Sequence, residues 1–472
     1  MSFCNRGRFR QQVRFLQRQF LQDGDLPFTD VFTERTVTQA LKALNIVWLD
    51  RVYSLLVTLW VFLGQVLSQD HSCRSAVARL IAHRVLRGQR PCSAETGAYC
   101  QARKRLPEEF FASVARKTGQ ALDESAKGRW LWKGRRVLVY DGSTVSMPDT
   151  PENQQAYPQP PQQQPGLGFP LARIAAFFSL SCGAVLDLAI CSNAGKGHSE
   201  LGMLHKLWDL LRPGDIMLAD SYMCAWHEIF LLKQRGIDSV TRIHHCRKAD
   251  FRRGKRVGKG DHIVDWPKPE FIRSIGWQRS KALPEQLTIR ETRVQVQQPG
   301  FRSRTMIVVS TLVDAEEVTT HDLAGLYRAR WNAELDLRSL KQTMQMDILR
   351  CKTPELVRKE IWTHLLAYNL IRTIMAQAAT KHGIEPRTIS FKGAIQTLEA
   401  FQPLFAIQGD RDWAHRRNLY QQFLEAVATH RVADRTDRFE PRLRKRRPKK
   451  YDSMLEPRHV IKCKMLKRVR EN

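Results

Sequence analysis

Through the first 125 positions, apolar residues recur every three or four places, the period of a helix with one buried face. FRQQVRFLQRQFL reads as a basic amphipathic helix. VYSLLVTLWVFLGQVL, from Val52 to Leu67, is the longest apolar run, yet it carries Ser54, Thr58 and Gln65 and reads as a buried core helix. SCRSAVARLIAHRVLRG follows with helical spacing and stops at Gly88, and PEEFFASVARKTGQAL opens on Pro107 and two acids, as a first helical turn favours. Between them CSAETGAYCQARKRLP has Ser93 as an N-cap and ends in the cluster Arg103, Lys104, Arg105.

Near Arg135 the period changes. RRVLVYDGS is a short β-branched run that predicts a buried strand leaving into a loop at Asp141-Gly142. PDTPENQQAYPQPPQQQPGLGFP is so rich in Pro and Gln that a long exposed loop is expected. LARIAAFFSLSCGAVLDLAICSN predicts two strands around Cys182-Gly183, SELGMLHKLWDLLRPGD a helix, and IMLADSYM a second buried strand ending in an acid. From Gly236 to Thr320 the texture is β, with LTIRETRVQV and RTMIVVSTLV its strongest strands and the basic CRKADFRRGKRVGKGD ahead of them. Helices resume from His321 to His382, and the tail RLRKRRPKKYD is a basic run without a core of its own. The order is that of an α/β protein flanked by helices.

At 472 residues the chain exceeds one ordinary core, so two to four domains are expected. Its net charge of +29, spread along the whole length, points to a polyanion, first of all nucleic acid. The longest apolar run is shorter than the roughly 20 residues of a membrane span, and the N-terminus has arginines without the apolar stretch of a secretory signal. No membrane is therefore expected. The ten cysteines form no CxxC pair and no His/Cys cluster at zinc spacing, so reduced thiols and a cytoplasmic setting are expected.

Three carboxylates carry the chemistry. Asp141 and Asp220 each follow a buried strand, at the sheet edge where ligands of α/β folds collect. Singly, each also reads as a turn signal or helix cap. The third lies in LYRARWNAELDLRSLK, Leu326 to Lys341. At about 100° per residue, Arg330, Glu334 and Lys341 fall within about 60° of Tyr327, with Arg338 close by. Asp336 points the opposite way. An acid held among cations suits phosphate chemistry: carboxylates hold Mg²⁺ and cations hold phosphates. A solvated, salt-bridged face is the plain alternative.

Tyr327, two residues, Arg330, three residues, Glu334, six residues, Lys341 resembles the Tyr-Arg-Glu-Lys signature of bacterial insertion-sequence transposases, in the family named after insertion sequence four. AYCQARKRLP, GHSEL, LADSYM and CKTPELVRKEIWTHLLAYNLIR are also similar to segments of that family, so the likeness runs from Cys92 to Arg372. The resemblance implies an α/β fold with a ribonuclease-H-like core and an Asp-Asp-Glu triad, here Asp141, Asp220 and Glu334, holding two Mg²⁺ ions that Mn²⁺ can replace. It implies an N-terminal helical DNA-binding domain at 1–125, the core at 135–236 and 321–385, a β-rich insertion at 237–320, and a helical, basic C-terminal region at 386–472. The 114 positions between Asp220 and Glu334 have room for that insertion. One departure is Ser221, where many relatives carry arginine.

The implied activity is cut-and-paste DNA transposition: cleavage at the element's ends, a hairpin intermediate, and strand transfer by a homodimer that pairs two ends of double-stranded DNA near the bacterial nucleoid. Tyr327, Arg330, Arg338 and Lys341 are the expected DNA contacts near the triad. Arg103, Lys104 and Arg105, or Arg8, Arg10 and Arg14, are candidates in the helical domain, and Arg444, Lys445, Arg446 and Arg447 in the tail. Trp266 and Trp277 are candidates to stack an unpaired base, with core packing the alternative for both and the expectation for Trp331. Two rivals use the same fold: an inactive DNA-binding relative, and a nuclease that cuts without joining. An RNA-binding structural protein would share the charge but gives no reason for three acids in this order.

Overall fold

In a computed structural model, the protein is described over residues 52–471, apart from 194, 196–197, 271, 273–276, 297–303, 409–412 and 433–451. The helix expected around Arg8, Arg10 and Arg14 and the cluster Arg444 to Arg447 lie outside the described residues.

Four helices open the described chain: α1 (Leu55–Leu67), α2 (Cys73–Leu86), α3 (Gly97–Arg105) and α4 (Glu108–Glu124). Ser54 and Ser72 cap α1 and α2 by accepting from Val57 N and Ser75 N, satisfying amide donors that each first turn leaves free. Gly88 takes a left-handed φ of 62°, which few other residues adopt, just past the end of α2.

Strand β1 (Val137–Ser146) then begins a mixed α/β architecture with β2 (Leu171–Ser179), β3 (Val185–Ser192), β4 (Ile216–Ala219) and β5 (Asp238–Arg242). Between these strands lie α5 (Pro151–Ala156), α6 (Glu200–Leu207) and α7 (Trp226–Gln234). β1 is antiparallel to β2 but parallel to β4, and β4 is parallel to β5. Four more strands, β6 (Lys255–Gly258), β7 (Asp261–Pro267), β8 (Gln286–Val296) and β9 (Arg304–Ser310), are mutually antiparallel, with the short α8 (Trp277–Lys281) between β7 and β8. They form no separate sheet. β9 pairs with β5, giving one nine-stranded sheet in the order β3-β2-β1-β4-β5-β9-β8-β7-β6.

The late helices are α9 (Thr320–Ala329), α10 (Trp331–Arg338), a π-helical turn at Ser339–Thr343, and α11 (Pro354–His382). They are followed by α12 (Phe391–Gln408), α13 (Trp413–Thr429) and α14 (Arg458–Glu471). α11 starts with Pro at its first turn and ends at Gly383 with φ of 67°. It is buried along most of its length and packs against α4, α1 and α13, so it is the spine of the main core. Gly119 on α4 lets that helix approach β3: a Cβ there would lie 2.1 Å from the Val185 carbonyl oxygen.

Three local expectations need correction. β1 does not leave the sheet at Asp141 but runs on to Ser146, because its pairing with β2 continues after β4 has ended. The Pro/Gln-rich segment contains α5, with Thr150 as N-cap and Pro151 in the first turn. After α5, Gln159 knits the loop by donating to the Gln163 and Gln164 carbonyls and accepting from Gly166 N and Gly168 N. The single helix expected over Leu326–Lys341 is interrupted at Arg330 and widens into the π-turn.

α10 is fastened by a buried acid. Asp336 is fully buried and accepts from Arg372 of α11 and from Arg387 at 2.7 and 2.8 Å. Arg387 also donates to the Ser179 and Leu180 carbonyls at the end of β2. Replacing Asp336 with Ala leaves the buried Arg372 and the half-buried Arg387 without their counter-charge, so Asp336→Ala is expected to cost about 3–5 kcal/mol in chemical denaturation. A loss below about 1 kcal/mol would reduce the network to an ordinary surface pair.

Candidate active site

Asp141 lies on β1 just past the point where β1 and β4 cease to pair, so it stands beside the exit of β4. Asp220 is the residue after β4 and takes the N-cap position of a short 3₁₀ turn, its carboxylate accepting from Tyr222 N at 2.8 Å. Glu334 comes from the first turn of α10. The three acids line one open cleft of about 420 Å³, together with Ser143, Arg330, Arg338 and Lys341.

The cations are not loose. Arg330 donates to Glu334 at 2.6 Å and lies 3.7 Å from Asp141, so one guanidinium bridges two of the acids. Arg330 sits at the junction of α9 and α10, where Arg330 N bonds the Tyr327 carbonyl and Ala333 N bonds the Arg330 carbonyl. These three-residue closures tighten the helix there. Lys341 lies within the π-turn, closed by Met344 N donating to the Ser339 carbonyl at 3.0 Å. The wider turn takes Lys341 out of regular helical phase, yet its ammonium reaches Ser143 Oγ on β1 at 2.8 Å. The chain beyond is stitched to the same strand: Ser146 N donates to the Asp347 carbonyl and Leu349 N to the Ser146 carbonyl.

Burial raises the Asp141 carboxyl to about 6. The Arg330 charge and the Gly142 N–H, which donates to Asp141 at 2.9 Å, oppose this rise, while Glu334 and Asp220 add to it. Burial also pushes the Tyr327 hydroxyl up to about 12 and lowers the Lys341 ammonium from its ordinary value.

The donor set is suited to a hard cation. The acids in the cleft are all carboxylates, with no His or Cys among its lining residues, which favours Mg²⁺ or Mn²⁺ over softer metals. The carboxylates face one space without meeting at a point. Among the described residues, only His244, His245 and Cys246 bring three ligand atoms within 4.8 Å of one another, on the loop after β5. Three consecutive residues on a surface loop match no spaced zinc pattern, so a search by spacing passes over them.

Other expected contacts lie elsewhere. Tyr327 is buried beside Arg330, whose charge opposes the rise of its hydroxyl. Arg103 is also buried, packed over the Phe62 and Tyr99 rings and donating to Cys73 and Cys100. Lys104 and Arg105 remain exposed. Trp266 is 5% exposed in a second apolar core with Trp226, Ile229 and Leu287. Its indole donates to Glu291 and Arg247 covers its ring at 4.1 Å, so it packs rather than presenting a face to a base. Trp277 opens α8, and its side chain is outside the described set. Ser143 and Gln342 line the cleft unannounced by any motif.

The sequence is similar to known proteins. Residues 132–370 match the family model described as "Transposase DDE domain". The chain belongs to that family of DDE transposases. It is 28% identical over 405 residues to the transposase InsG for insertion sequence element IS4 of Escherichia coli strain K12, covering 83% of this chain and 85% of that protein. Over 101 residues it is 32% identical to the transposase for insertion sequence element IS421 of Escherichia coli, covering 20% of this chain and 27% of that protein. A piggyBac transposase in a synaptic complex with hairpin DNA aligns with 91% of this chain and 87% of its own, at a TM-score of 0.44 and 11% identity. No helix among the described residues is long and apolar enough to cross a membrane.

The raised Asp141 carboxyl has a measurable consequence. Between its ordinary value of 3.8 and about 6 the folded state holds a proton that the unfolded chain has released, so stability is lost as pH rises through this window. Asp141→Asn removes the buried charge. Without divalent metal it is expected to stabilise the protein by about 1–3 kcal/mol at pH 7.5, a gain that shrinks towards pH 4. Thermal melts at the two pH values read the difference, and an equal effect at both would show that burial of this charge is not the cause.

Proposed function

We propose that this transposase moves its insertion sequence by cutting and pasting DNA, with Asp141, Asp220 and Glu334 as the acids that hold two Mg²⁺ ions, or Mn²⁺ in their place. The observation that carries this reading is the shared cleft, in which three carboxylates from separate elements face Arg330, Arg338 and Lys341. The strand order β3-β2-β1-β4-β5, with only β2 opposed to its neighbours β1 and β3 and with β4 and β5 parallel to β1, supports a ribonuclease-H-like core. On this reading, strands β6 to β9 are the insertion between the second and third acids, and α1 to α4 are the inner part of a DNA-binding domain.

When bound, the ions would activate an attacking oxygen and stabilise the leaving one. The protein's part is placement. Asp141 sits on a sheet strand and Asp220 directly after one, in a sheet that cannot shift without breaking its ladder, and Glu334 sits on a helix clamped from behind by Asp336. Arg330 bridges Asp141 and Glu334, and with cations held by these acids its guanidinium would be free to pair with a DNA phosphate. Lys341, held by Ser143, gives a second fixed positive charge for the strand. A hairpin intermediate, joining to target DNA and a homodimeric assembly of two ends belong to the same proposal. The rival of cleavage without joining needs the same acids and differs only in product.

The test is a cleavage and joining assay on DNA carrying the element's own flanks, with Mg²⁺. Glu334→Gln is expected to keep DNA binding and lose cleavage by more than about 100-fold, a larger effect than loss of an outer-shell partner. Cleavage at the wild-type rate would remove Glu334 from the chemistry, and cuts without hairpin or joined product would favour the nuclease. Lys341→Ala is expected to weaken binding to end-sequence DNA more than to random duplex in electrophoretic shift assays. Equal losses would make Lys341 part of a general basic face.

A further inference from the structure

We infer that Cys73 and Cys100 form an oxidisable thiol pair, a site at which peroxide is reduced and a reversible disulfide is made between α2 and α3. Cys73 is the first residue of α2. Cys100 lies on α3 three positions before Arg103, so the two side chains share a helix face. One guanidinium nitrogen of Arg103, Nη2, donates to the Cys73 sulfur at 3.2 Å and to the Cys100 sulfur at 3.5 Å. The two thiols also hydrogen-bond each other. Both cysteines are half-buried rather than sealed in the core.

The cation between them makes the pair reactive. Arg103 is 4% exposed, and among the described residues its Nε has no hydrogen-bond partner. Its side chain meets three sulfurs and the Phe62 and Tyr99 rings rather than a carboxylate. A buried guanidinium needs a counter-charge, and a thiolate supplies one. The hydrogen bond from Cys73 and then the Arg103 guanidinium bring the Cys100 thiol down to about 5 against the effect of burial, and the shared proton raises Cys73. Cys351, the third sulfur, lies 3.7 Å from Arg103 Nη1 and is kept a thiol by burial and the neighbouring Glu360. Cysteines also serve as small core residues. That role does not account for sulfurs gathered on a buried cation.

The oxidant is hydrogen peroxide. The Cys100 thiolate attacks one peroxide oxygen, the O–O bond breaks, and hydroxide leaves with the electron pair, giving a sulfenic acid. The Cys73 sulfur then attacks the Cys100 sulfur and the S–O bond breaks. The departing hydroxide takes the Cys73 proton and leaves as water. Each sulfur is oxidised by one electron, and peroxide gains both.

The test uses the full chain, reduced, freed of reductant and treated with hydrogen peroxide at pH 7, with the cysteines mapped by peptide mass spectrometry. The expected product is a Cys73–Cys100 disulfide, formed about 10-fold faster than the exposed Cys246 is oxidised and reopened by dithiothreitol. In Cys73→Ser, Cys100 is expected to stop at the sulfenic acid, trapped with dimedone. In Cys100→Ser, Cys73 is expected to stay a thiol. A link from Cys100 to Cys92 or Cys351 instead, or oxidation of Cys246 ahead of the pair, would overturn the proposal. The wild-type measurement decides it even if a serine variant fails to fold.

Discussion

The carboxylate cleft depends on an interaction that faces away from it. Asp336 lies on the opposite side of α10 from Glu334, and its carboxylate is held by Arg372 and Arg387. Arg387 reaches the end of β2, and Arg372 bonds Tyr368, whose hydroxyl donates to the Gly183 carbonyl in the β2–β3 turn. One buried acid thus ties the helix that carries Glu334 to the central sheet and to the spine helix. Burying charges is expensive, and a pair of apolar side chains could fill the same volume. What the ionic version adds is direction: a planar guanidinium bonded on several sides fixes the rotation of the helix as well as its distance.

The other face of α10 is kept in balance by the protein itself. Arg330 spans Asp141 and Glu334, and Lys341 is drawn to Ser143 by a π-turn that departs from regular winding. Such turns are rare and recur at functional sites. Here the irregular turn carries the cation that meets Ser143 on β1. The pre-formed ionic contacts also keep the acids from repelling one another in a partly dehydrated cleft.

Much of this was legible in the chain. The change of period near Arg135, the buried strand that carries Asp141, the one that ends before Asp220 and the helical row around Glu334 follow from side-chain periodicity, and the mixed α/β order from their sequence. What escaped was set by tertiary pairing. Asp141-Gly142 has turn chemistry, yet β1 continues because β2 supplies a partner through Ser146. Arg103 looks like an exposed cation in RKRLP, but the helix turns it inward onto Phe62 and Tyr99. Trp266 is hidden by Arg247, a neighbour 19 positions earlier in the chain. Neither burial leaves a periodic trace, because each is decided by a single side chain meeting another element.

The continuity of the nine-stranded sheet has a consequence for how this protein can be dissected. β5 is flanked by β4 on one side and β9 on the other, so β6 to β9 close what would otherwise be an open row of amide and carbonyl groups beside the second aspartate. Bare strand edges recruit other chains and aggregate. A minimal catalytic fragment made by excising the β-rich segment would therefore lose solubility before it lost chemistry. The segment serves as the lateral seal of the sheet, and a shortened version must still offer β5 a partner strand.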